Sequence, residues 1–218
     1  MLSLDGYVQT AITGTFFFPH LVNPAFKRLH ETVPSHSPIT PFSYYMLYVL
    51  ALQCAKLPRG CFFECGVFRG GSARFLAQIL DNRKPLHLFD SFEGMKQTDA
   101  DKDPLHIAGD FADTSLEEVQ KHIGPNDDVL YHKGWIPDTF AGIDEEIAFA
   151  HVDVDLYDSV KACCEFIYPR LVQSGIMLFD DYGHVTCRGA REAVDAYFYN
   201  KPSVVIPVIT GQAYVIKI

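Results

Sequence analysis

From residue 61 onwards the chain alternates between short apolar runs and segments whose apolar residues recur at helical spacing. The apolar runs have the length of strands buried on both faces, and we predict five of them, at residues 61–65, 86–89, 129–132, 147–152 and 176–179. The helical spacing falls between or after these runs, at residues 71–81, 115–123, 158–170 and 188–199. Two alternating segments, 204–209 and 213–218, follow and predict a terminal antiparallel hairpin.

Strands that alternate with helices in this way predict a Rossmann-like α/β fold, in which a mostly parallel sheet is covered by helices on both faces. The five strands and the hairpin give a seven-stranded sheet. Residues 1–41 are instead rich in proline and turn formers, and Thr40-Pro41 signals the start of a helix that ends near Pro58. We therefore expect one compact domain overall, with an N-terminal helical cap or lid segment at residues 1–58 and the ligand-binding α/β domain at residues 59–218.

Composition narrows the kind of partner. The formal net charge is -9, because 27 acidic residues outnumber 18 Lys and Arg. A surface of this sign repels polyphosphate backbones and anionic lipid headgroups, which argues against nucleic-acid and membrane partners. No stretch approaches the roughly 20 apolar residues of a membrane span, and the N-terminus lacks the basic region of a signal peptide. We predict a cytoplasmic protein that acts on a small molecule.

The cysteines carry no motif. None of the six stands in a CxxC pair or at zinc-finger spacing. Buried free thiols are common in protein cores, so we expect reduced cysteines with a structural role, as is usual in the cytoplasm.

The first predicted strand runs into a glycine-rich turn at residues 64–72. Glycines permit a tight turn and the close approach of a ligand, which the amides at the start of the next helix then face. Beside such a turn the Glu64 carboxylate suits an ammonium, whereas Ser72 and the helix amides suit a carboxylate. Both groups occur at the amino-acid end of S-adenosylmethionine. A structural turn or a dinucleotide site would also explain a glycine turn taken alone.

The second predicted strand ends at Asp90. An acidic residue at this position, about 20 residues after the glycine turn, can accept both hydroxyls of a ribose. Sites for NAD and for S-adenosylmethionine share this device, so Asp90 indicates an adenosine cofactor without choosing between them. A helix-capping role is the structural alternative.

Acidic residues crowd the ends of the fourth and fifth predicted strands, in the segments 151–157 and 179–184. In a parallel sheet these ends are neighbours, and their four carboxylates would repel one another unless a cation compensates. Hard oxygen ligands favour Mg²⁺ over Ca²⁺ or Mn²⁺ at such a site. Helix capping, or pairing with Arg188 or Arg191, would explain one or two of the four but not the whole set.

Taken together, these motifs resemble the macrocin O-methyltransferase family, the sugar methyltransferases of macrolide and aminocoumarin antibiotic pathways. A hairpin that closes a parallel sheet is likewise the pattern of class I methyltransferases. The resemblance covers about residues 40–200, and the segments are specific jointly although the glycine turn alone is not. The matching segments are 64–72, 89–94, 133–139, 153–157 and 179–183.

The resemblance implies S-adenosylmethionine as cofactor and a divalent metal at the acceptor site. The metal would be bound by Asp153, Asp180 and Asp181, and Asp155 matches the acid that serves as base. His184 follows the Asp-Tyr-Gly run without a counterpart in the family pattern, and it is the second candidate for the base.

Within the predicted cofactor site, we expect Glu64 to hold the ammonium, Ser72 the carboxylate and Asp90 the ribose. Gly134 and Trp135 would border the adenine, although a core position explains Trp135 equally well. The matching segments complete this site with Gly66, Arg69, Gly70, Gly71 and Ser91.

The predicted reaction moves a methyl group to a hydroxyl of a sugar or another vicinal diol, with Mg²⁺ orienting and acidifying that hydroxyl. An NAD-dependent oxidoreductase would share the glycine turn and Asp90, but it explains neither the acidic strand ends nor the hairpin. A non-catalytic binding protein on the same fold is disfavoured by the intact set of acidic residues. The aromatic residues at 1–48 suggest a covering role, and we expect a homo-oligomer, most simply a dimer.

Overall fold

The structure, a computed structural model, describes residues 17–33, 37–96 and 98–218. Within these ranges seven strands form one sheet, in the order β3-β2-β1-β4-β5-β7-β6. The strands are β1 (Cys61–Cys65), β2 (Leu86–Asp90), β3 (Val129–Lys133), β4 (Ile147–Val152), β5 (Leu171–Phe179), β6 (Ile206–Pro207) and β7 (Ala213–Ile216).

Strands β1 to β5 pair in parallel, and β7 is antiparallel to both β5 and β6. The seven-stranded, mostly parallel α/β architecture with a closing hairpin is therefore confirmed. Strand β5 begins at Leu171, five residues before the predicted start at 176. The predicted start was too late because the exposed Gln173 and Ser174 interrupt the apolar run of this strand. Strand β6 is shorter than the predicted segment 204–209 and ends at Pro207, whose nitrogen has no hydrogen to donate.

The helices lie close to their predicted positions, and side-chain caps form at the starts of two of them. The Thr40 hydroxyl accepts a hydrogen bond from the Ser43 amide, and the Ser115 hydroxyl accepts one from the Glu118 amide, each at 3.2 Å. The helices are α1 (Pro19–Val22), α2 (Pro24–His30), α3 (Pro41–Ala55), α4 (Gly71–Leu80), α5 (Leu116–Ile123), α6 (Tyr157–Arg170) and α7 (Arg188–Phe198), with a 3₁₀ turn at Asp138–Phe140.

Two hydrophobic layers cover the sheet because successive residues of a strand face opposite sides. Phe62 and Phe149 face the layer that includes α3 and α4. Phe63 and Met177 face the layer formed with α6 and α7. Helix α3, which belongs to the predicted cap, packs into the first layer through residues such as Tyr44; residues 1–16 and 34–36 of that cap lie outside the described residues.

All six cysteines are free and buried. No helix in the described ranges combines the length and the apolar character that a membrane crossing requires. Because β1, β2, β4 and β5 run in parallel, their carboxyl ends meet at one rim of the sheet, where ligands bind in folds of this type.

Candidate active site

A cavity of about 490 Å³ opens at this rim, a volume in the usual range for small-molecule sites. Most of the residues predicted for the site line it. They are Gly66, Arg69, Gly71, Ser72, Asp90, Ser91, Gly134, Trp135, Asp153, Asp155, Asp180, Asp181 and His184. Glu64 and Gly70 were also predicted for the site, but they are not among the lining residues that the structure describes.

The glycine turn brings the ends of β1 and β4 into close contact. Gly66 has a φ of +85°, and a Cβ placed on it would lie 1.7 Å from the carbonyl oxygen of Asp153. No side chain fits there, so this glycine is required both by its backbone conformation and by the approach of the neighbouring strand end. Gly70, with a φ of +79°, precedes helix α4 and packs against Val119 of α5.

The Asp90 carboxylate holds the backbone of the glycine turn in place through hydrogen bonds. One oxygen accepts hydrogen bonds from the amides of Val67 and Phe68 at 2.7 and 2.9 Å, and the other accepts one from the Phe92 amide at 2.7 Å. A carboxylate has room for about four hydrogen bonds, so these three leave capacity for a ribose hydroxyl. Asp90 thus has a structural role that the sequence did not reveal, beside the predicted cofactor role.

Two further predicted cofactor residues have their polar groups engaged by the protein. The Ser91 hydroxyl donates to the carbonyl of Gly94 at 2.9 Å. The Arg69 guanidinium forms an ion pair with Asp113 and lies over the Phe68 ring, with 5.0 Å between the guanidinium carbon and the ring centroid. Both residues therefore shape the wall on which an adenosine cofactor would lie.

The opposite wall of this part of the cavity follows strand β3. The Gly134 amide donates to the carbonyl of Asp90 at 2.9 Å, which continues the parallel pairing of β2 and β3 beyond the strands. Trp135 borders the cavity and is only partly buried, so the alternative of a pure core residue does not describe it.

Glu64 is fully buried in β1 behind the cavity. One of its oxygens lies 3.0 Å from Nδ1 of the fully buried His151, and its other oxygen has no hydrogen-bond partner among the described residues. A buried carboxylate oxygen without a partner costs about 1–3 kcal/mol, and more when it is charged. An ammonium group would satisfy it, which is the chemistry that the sequence predicted for Glu64.

His151 links Glu64 to the acidic cluster, because its Nε2 lies 3.5 Å from a carboxylate oxygen of Asp180. Burial disfavours a charged imidazole, but the hydrogen bonds with Asp180 and Glu64 raise the pKa of His151 well above its ordinary value. Burial alone would raise the pKa of Asp180, yet hydrogen bonds from His151 and from Gln212, the latter at 2.6 Å, lower it.

Asp153 faces Asp180 across the ends of β4 and β5. Together with His151 they form a group whose ligand atoms all lie within 4.8 Å of one another. Burial, followed by repulsion from Asp180 and Asp181, raises the pKa of Asp153 well above its ordinary value. In the absence of a cation, the site thus disfavours a second negative charge beside Asp180.

Asp155 and Asp181 continue the cluster. The Asp155 amide donates to a carboxylate oxygen of Asp181 at 2.9 Å, and burial with repulsion from Asp155 and Asp180 raises the pKa of Asp181 well above its ordinary value. Asp155 has a φ of +57°, an uncommon conformation for aspartate that is frequent at functional sites. Its own carboxylate accepts a hydrogen bond from the Cys187 thiol at 3.3 Å, and burial raises its pKa.

These donors fit a hard divalent cation. The structure brings together all four carboxylates, and a cation would relieve the repulsion that raises the pKa values of Asp153 and Asp181. Asp153 and Asp180 lie within range of one ion, whereas Asp181 groups more closely with His184 and Cys187. The oxygen donors match the preference of Mg²⁺, and the predicted ligand set remains a proposal.

Several lining residues escaped the sequence analysis. Tyr44 of α3 shares a hydrogen bond of 2.9 Å with Ser37, and His106 lies in the long segment between β2 and α5. Cys187 lies 3.6 Å from a ring nitrogen of His106. Neither the helical spacing around Tyr44 nor the irregular segment around His106 carries a motif, so only the folding of the chain reveals these neighbours.

The fold is that of the class I O-methyltransferases, as two solved structures show. The solved structure of the O-methyltransferase NovP superimposes with a TM-score of 0.69 at 23% identity, over 83% of this chain and 83% of that one. The calicheamicin methyltransferase CalS11 gives a TM-score of 0.63 at 18% identity, over 93% and 94% of the two chains. The macrocin-O-methyltransferase (TylF) family model matches residues 52–210, and the chain belongs to that family.

Two similar proteins of Streptomyces species are named as O-methyltransferases. The 8-demethyl-8-(2,3-dimethoxy-alpha-L-rhamnosyl)-tetracenomycin-C 4'-O-methyltransferase of Streptomyces olivaceus is 33% identical over 146 residues, which are 60% of this chain and 56% of that protein. The demethyldecarbamoylnovobiocin O-methyltransferase of Streptomyces niveus is 32% identical over 154 residues, 63% of this chain and 58% of that protein. The match thus spans 56% and 58% of these relatives' own lengths.

Proposed function

We propose that this chain is an S-adenosylmethionine-dependent O-methyltransferase that methylates a hydroxyl of a sugar or another vicinal-diol small molecule, with Mg²⁺ at the acceptor side. The observation that carries the proposal is the division of one cavity into two halves. One half is the glycine turn fastened by Asp90, and the other is the cluster of four carboxylates. The named reactions of the Streptomyces relatives, both O-methyl transfers, support the same class.

In the cofactor half, the chain's own groups match the parts of S-adenosylmethionine. The partnerless oxygen of Glu64 suits the ammonium, and the buried Ser72 at the start of α4 suits the carboxylate. Asp90 has remaining capacity for the ribose, and Trp135 borders the place for the adenine. The bound cofactor supplies an electrophilic methyl group.

In the acceptor half, Asp153, Asp180 and Asp181 would hold the metal. Mg²⁺, when bound there, supplies a Lewis acid that lowers the pKa of an acceptor hydroxyl. Asp155 lies on the same wall and is our first candidate for the group that takes the proton, with the exposed His184 as the second. His151 contacts both Glu64 and Asp180 and so connects the two halves. The acceleration would then come mainly from positioning.

Calorimetry with S-adenosylhomocysteine and with NAD, each with and without Mg²⁺, tests the cofactor. We expect S-adenosylhomocysteine to bind and NAD not to bind. Transfer of a labelled methyl group to a panel of nucleotide-linked and glycoside sugars then tests the reaction. Binding of NAD in preference to S-adenosylhomocysteine would refute the proposal.

Self-association is a separate part of the proposal. The aromatic and aliphatic side chains of Phe17, Leu21 and Val22 are 53%, 51% and 59% exposed at one end of the described N-terminal segment. Covering them with a second copy would remove apolar surface from water. Light scattering at micromolar protein concentration measures the mass, and a monomeric mass would exclude a stable dimer.

A further inference from the structure

A second group of metal-binding side chains lies at the amino ends of β1 and β2. Cys61 is the first residue of β1, His87 is the second residue of β2, and Glu145 precedes β4. The Cys61 sulfur, a His87 ring nitrogen and a Glu145 carboxylate oxygen all lie within 4.8 Å of one another. A strand of five residues is about 13 Å long from first to last Cα, so this group is well separated from the candidate active site at the carboxyl ends.

His87 is oriented as a metal ligand would be. Its side chain is 3% exposed, and its Nδ1 lies 3.0 Å from Nε2 of His132. Its Nε2 has no hydrogen-bond partner among the described residues, although a Glu145 carboxylate oxygen lies 3.4 Å away. Metal-bound histidines commonly donate the hydrogen of the second ring nitrogen to a neighbouring acceptor, and His132 is placed to accept it.

The ring of His87 is also held rigidly. It stacks on His132, with 5.2 Å between the ring centroids and 4° between the planes, and it packs against Phe63 at 5.1 Å. Such packing fixes the direction of Nε2 before any ligand arrives, so little conformational entropy would be lost on binding.

The donor set selects the kind of metal. Thiolate sulfur, imidazole nitrogen and carboxylate oxygen are the ligands of Zn²⁺, whereas Mg²⁺ prefers oxygen alone. One thiolate and one carboxylate would balance the two positive charges of the ion. We infer that Cys61, His87 and Glu145 form a zinc site of three protein ligands at the amino end of the sheet.

The surroundings leave room for a fourth ligand. A depression of about 370 Å³ beside the group is lined by Cys61 and Glu145. The two cations on its wall have other partners on the same wall: Arg59 pairs with Glu146 at 2.9 Å, and Lys84 donates to the carbonyl of Gly60 at 3.2 Å. A water molecule entering from this side would complete the tetrahedral coordination that zinc prefers.

Such a site would connect parts of the chain that are distant in sequence. It would join the starts of β1 and β2 to the segment before β4, and an ion that binds only the folded state raises its stability. This role does not depend on the proposed methyl transfer, so the two proposals can fail independently.

Cobalt(II) is the probe, because it binds in place of zinc and gives a near-ultraviolet charge-transfer absorption when a thiolate coordinates it. We expect the reduced full-length wild-type chain to show this absorption and zinc to abolish it. Cys61→Ser should lose it. Glu145→Gln changes a side chain that is 49% exposed, so it should leave folding intact. We expect it to lower the metal affinity by about 100-fold or more, because loss of a direct ligand should cost at least as much as loss of a residue that orients a ligand.

Matched controls separate this group from its neighbours. Glu146→Gln alters the adjacent carboxylate, and Cys54→Ser alters a buried thiol outside the group; both should retain the absorption. Cys187→Ser is needed because Cys187 lies beside acidic and histidine side chains of the active-site cavity. No absorption in the wild type, or absorption that survives Cys61→Ser and disappears with Cys187→Ser, would overturn the inference.

Thermal unfolding gives a readout without absorption. Zinc should raise the melting temperature of the wild type and of Glu146→Gln, but not that of Glu145→Gln. His132→Phe should reduce the zinc affinity by about 10–100-fold, the range for a partner that orients a ligand. An equal zinc-induced shift in Glu145→Gln and the wild type would place the ion elsewhere and contradict the site.

Discussion

The two halves of the candidate active-site cavity differ in whether the chain itself compensates the charge of their carboxylates. In the cofactor half, the Asp90 carboxylate is satisfied by three backbone amides of the chain itself. In the acceptor half, burial raises the pKa values of Asp153, Asp155 and Asp181, and repulsion from the neighbouring Asp180 adds to this effect at all three.

The difference shows what each half lacks without a ligand. The glycine turn is already held by hydrogen bonds to Asp90, so a cofactor that binds there meets an organised surface. The acidic cluster is short of positive charge, since the basic side chains beside its four carboxylates are histidines, namely His106, His151 and His184. We therefore expect changes in the acceptor half to abolish chemistry while sparing cofactor binding, and changes in the cofactor half to do the reverse.

Removing a proposed metal ligand should have the largest effect. With Asp180→Asn, or in excess chelator, we expect methyl transfer to fall below detection because the acceptor hydroxyl is no longer acidified or fixed. Calorimetry should still show S-adenosylhomocysteine binding, because Glu64, Ser72 and Asp90, which we propose hold the cofactor, are unchanged in this variant. Asp158→Asn, whose side chain is 74% exposed, is the matched control and should behave as the wild type. Full activity in chelator would make the acidic cluster a structural feature, with the base role passing to His184 or His151.

Loss of the base should come next. We expect Asp155→Asn to lower kcat by about 10²–10⁴-fold while metal binding persists, because the proton acceptor is gone but Asp153 and Asp180 remain. His184→Gln serves as the comparison, and kcat measured for both variants decides between the two candidates. A larger loss with His184→Gln than with Asp155→Asn would reverse the assignment.

The glycine turn should be sensitive to a single methyl group. We expect Gly66→Ala to destabilise the fold by more than the roughly 1–3 kcal/mol cost of a non-glycine residue at positive φ, because the new Cβ would meet the Asp153 carbonyl. Gly142→Ala is a close control: its φ is +81°, but a Cβ there has no neighbour within 4 Å. Denaturant unfolding measures both variants, and equal losses would mean that the turn relaxes without cost.

The smallest effect should follow from Asp90→Ala. We expect S-adenosylhomocysteine binding to weaken by about 1–3 kcal/mol, because ribose hydroxyls and the amides of Val67 and Phe68 lose their acceptor. Asp113→Ala removes the partner of Arg69 from the same wall and should cost less, since that ion pair is exposed. Unchanged affinity in Asp90→Ala would show that the ribose lies elsewhere.

Much of the candidate site could be predicted because its polar side chains lie at the carboxyl ends of the strands. Asp90, Asp153 and Asp180 each stand where an apolar run stops, and parallel strands deliver such ends to one rim. Glu64 was predicted by the same logic, but its full burial was not, since a strand residue's exposure depends on what packs over it. The start of β5 was predicted too late because Ser174, with a φ of +66°, breaks the apolar pattern without ending the strand.

The order of helices and strands and the acidic strand ends were determined by the sequence itself, because periodicity and turn chemistry are local properties. Only the tertiary structure decided which side chains meet across long separations. It placed Glu64 against His151, Cys187 against Asp155, and His87 against Cys61 and Glu145. Cysteine spacing gave no sign of a metal site, since ligands from three separate segments have no common spacing. They meet only because the register of neighbouring strands brings the starts of β1 and β2 together.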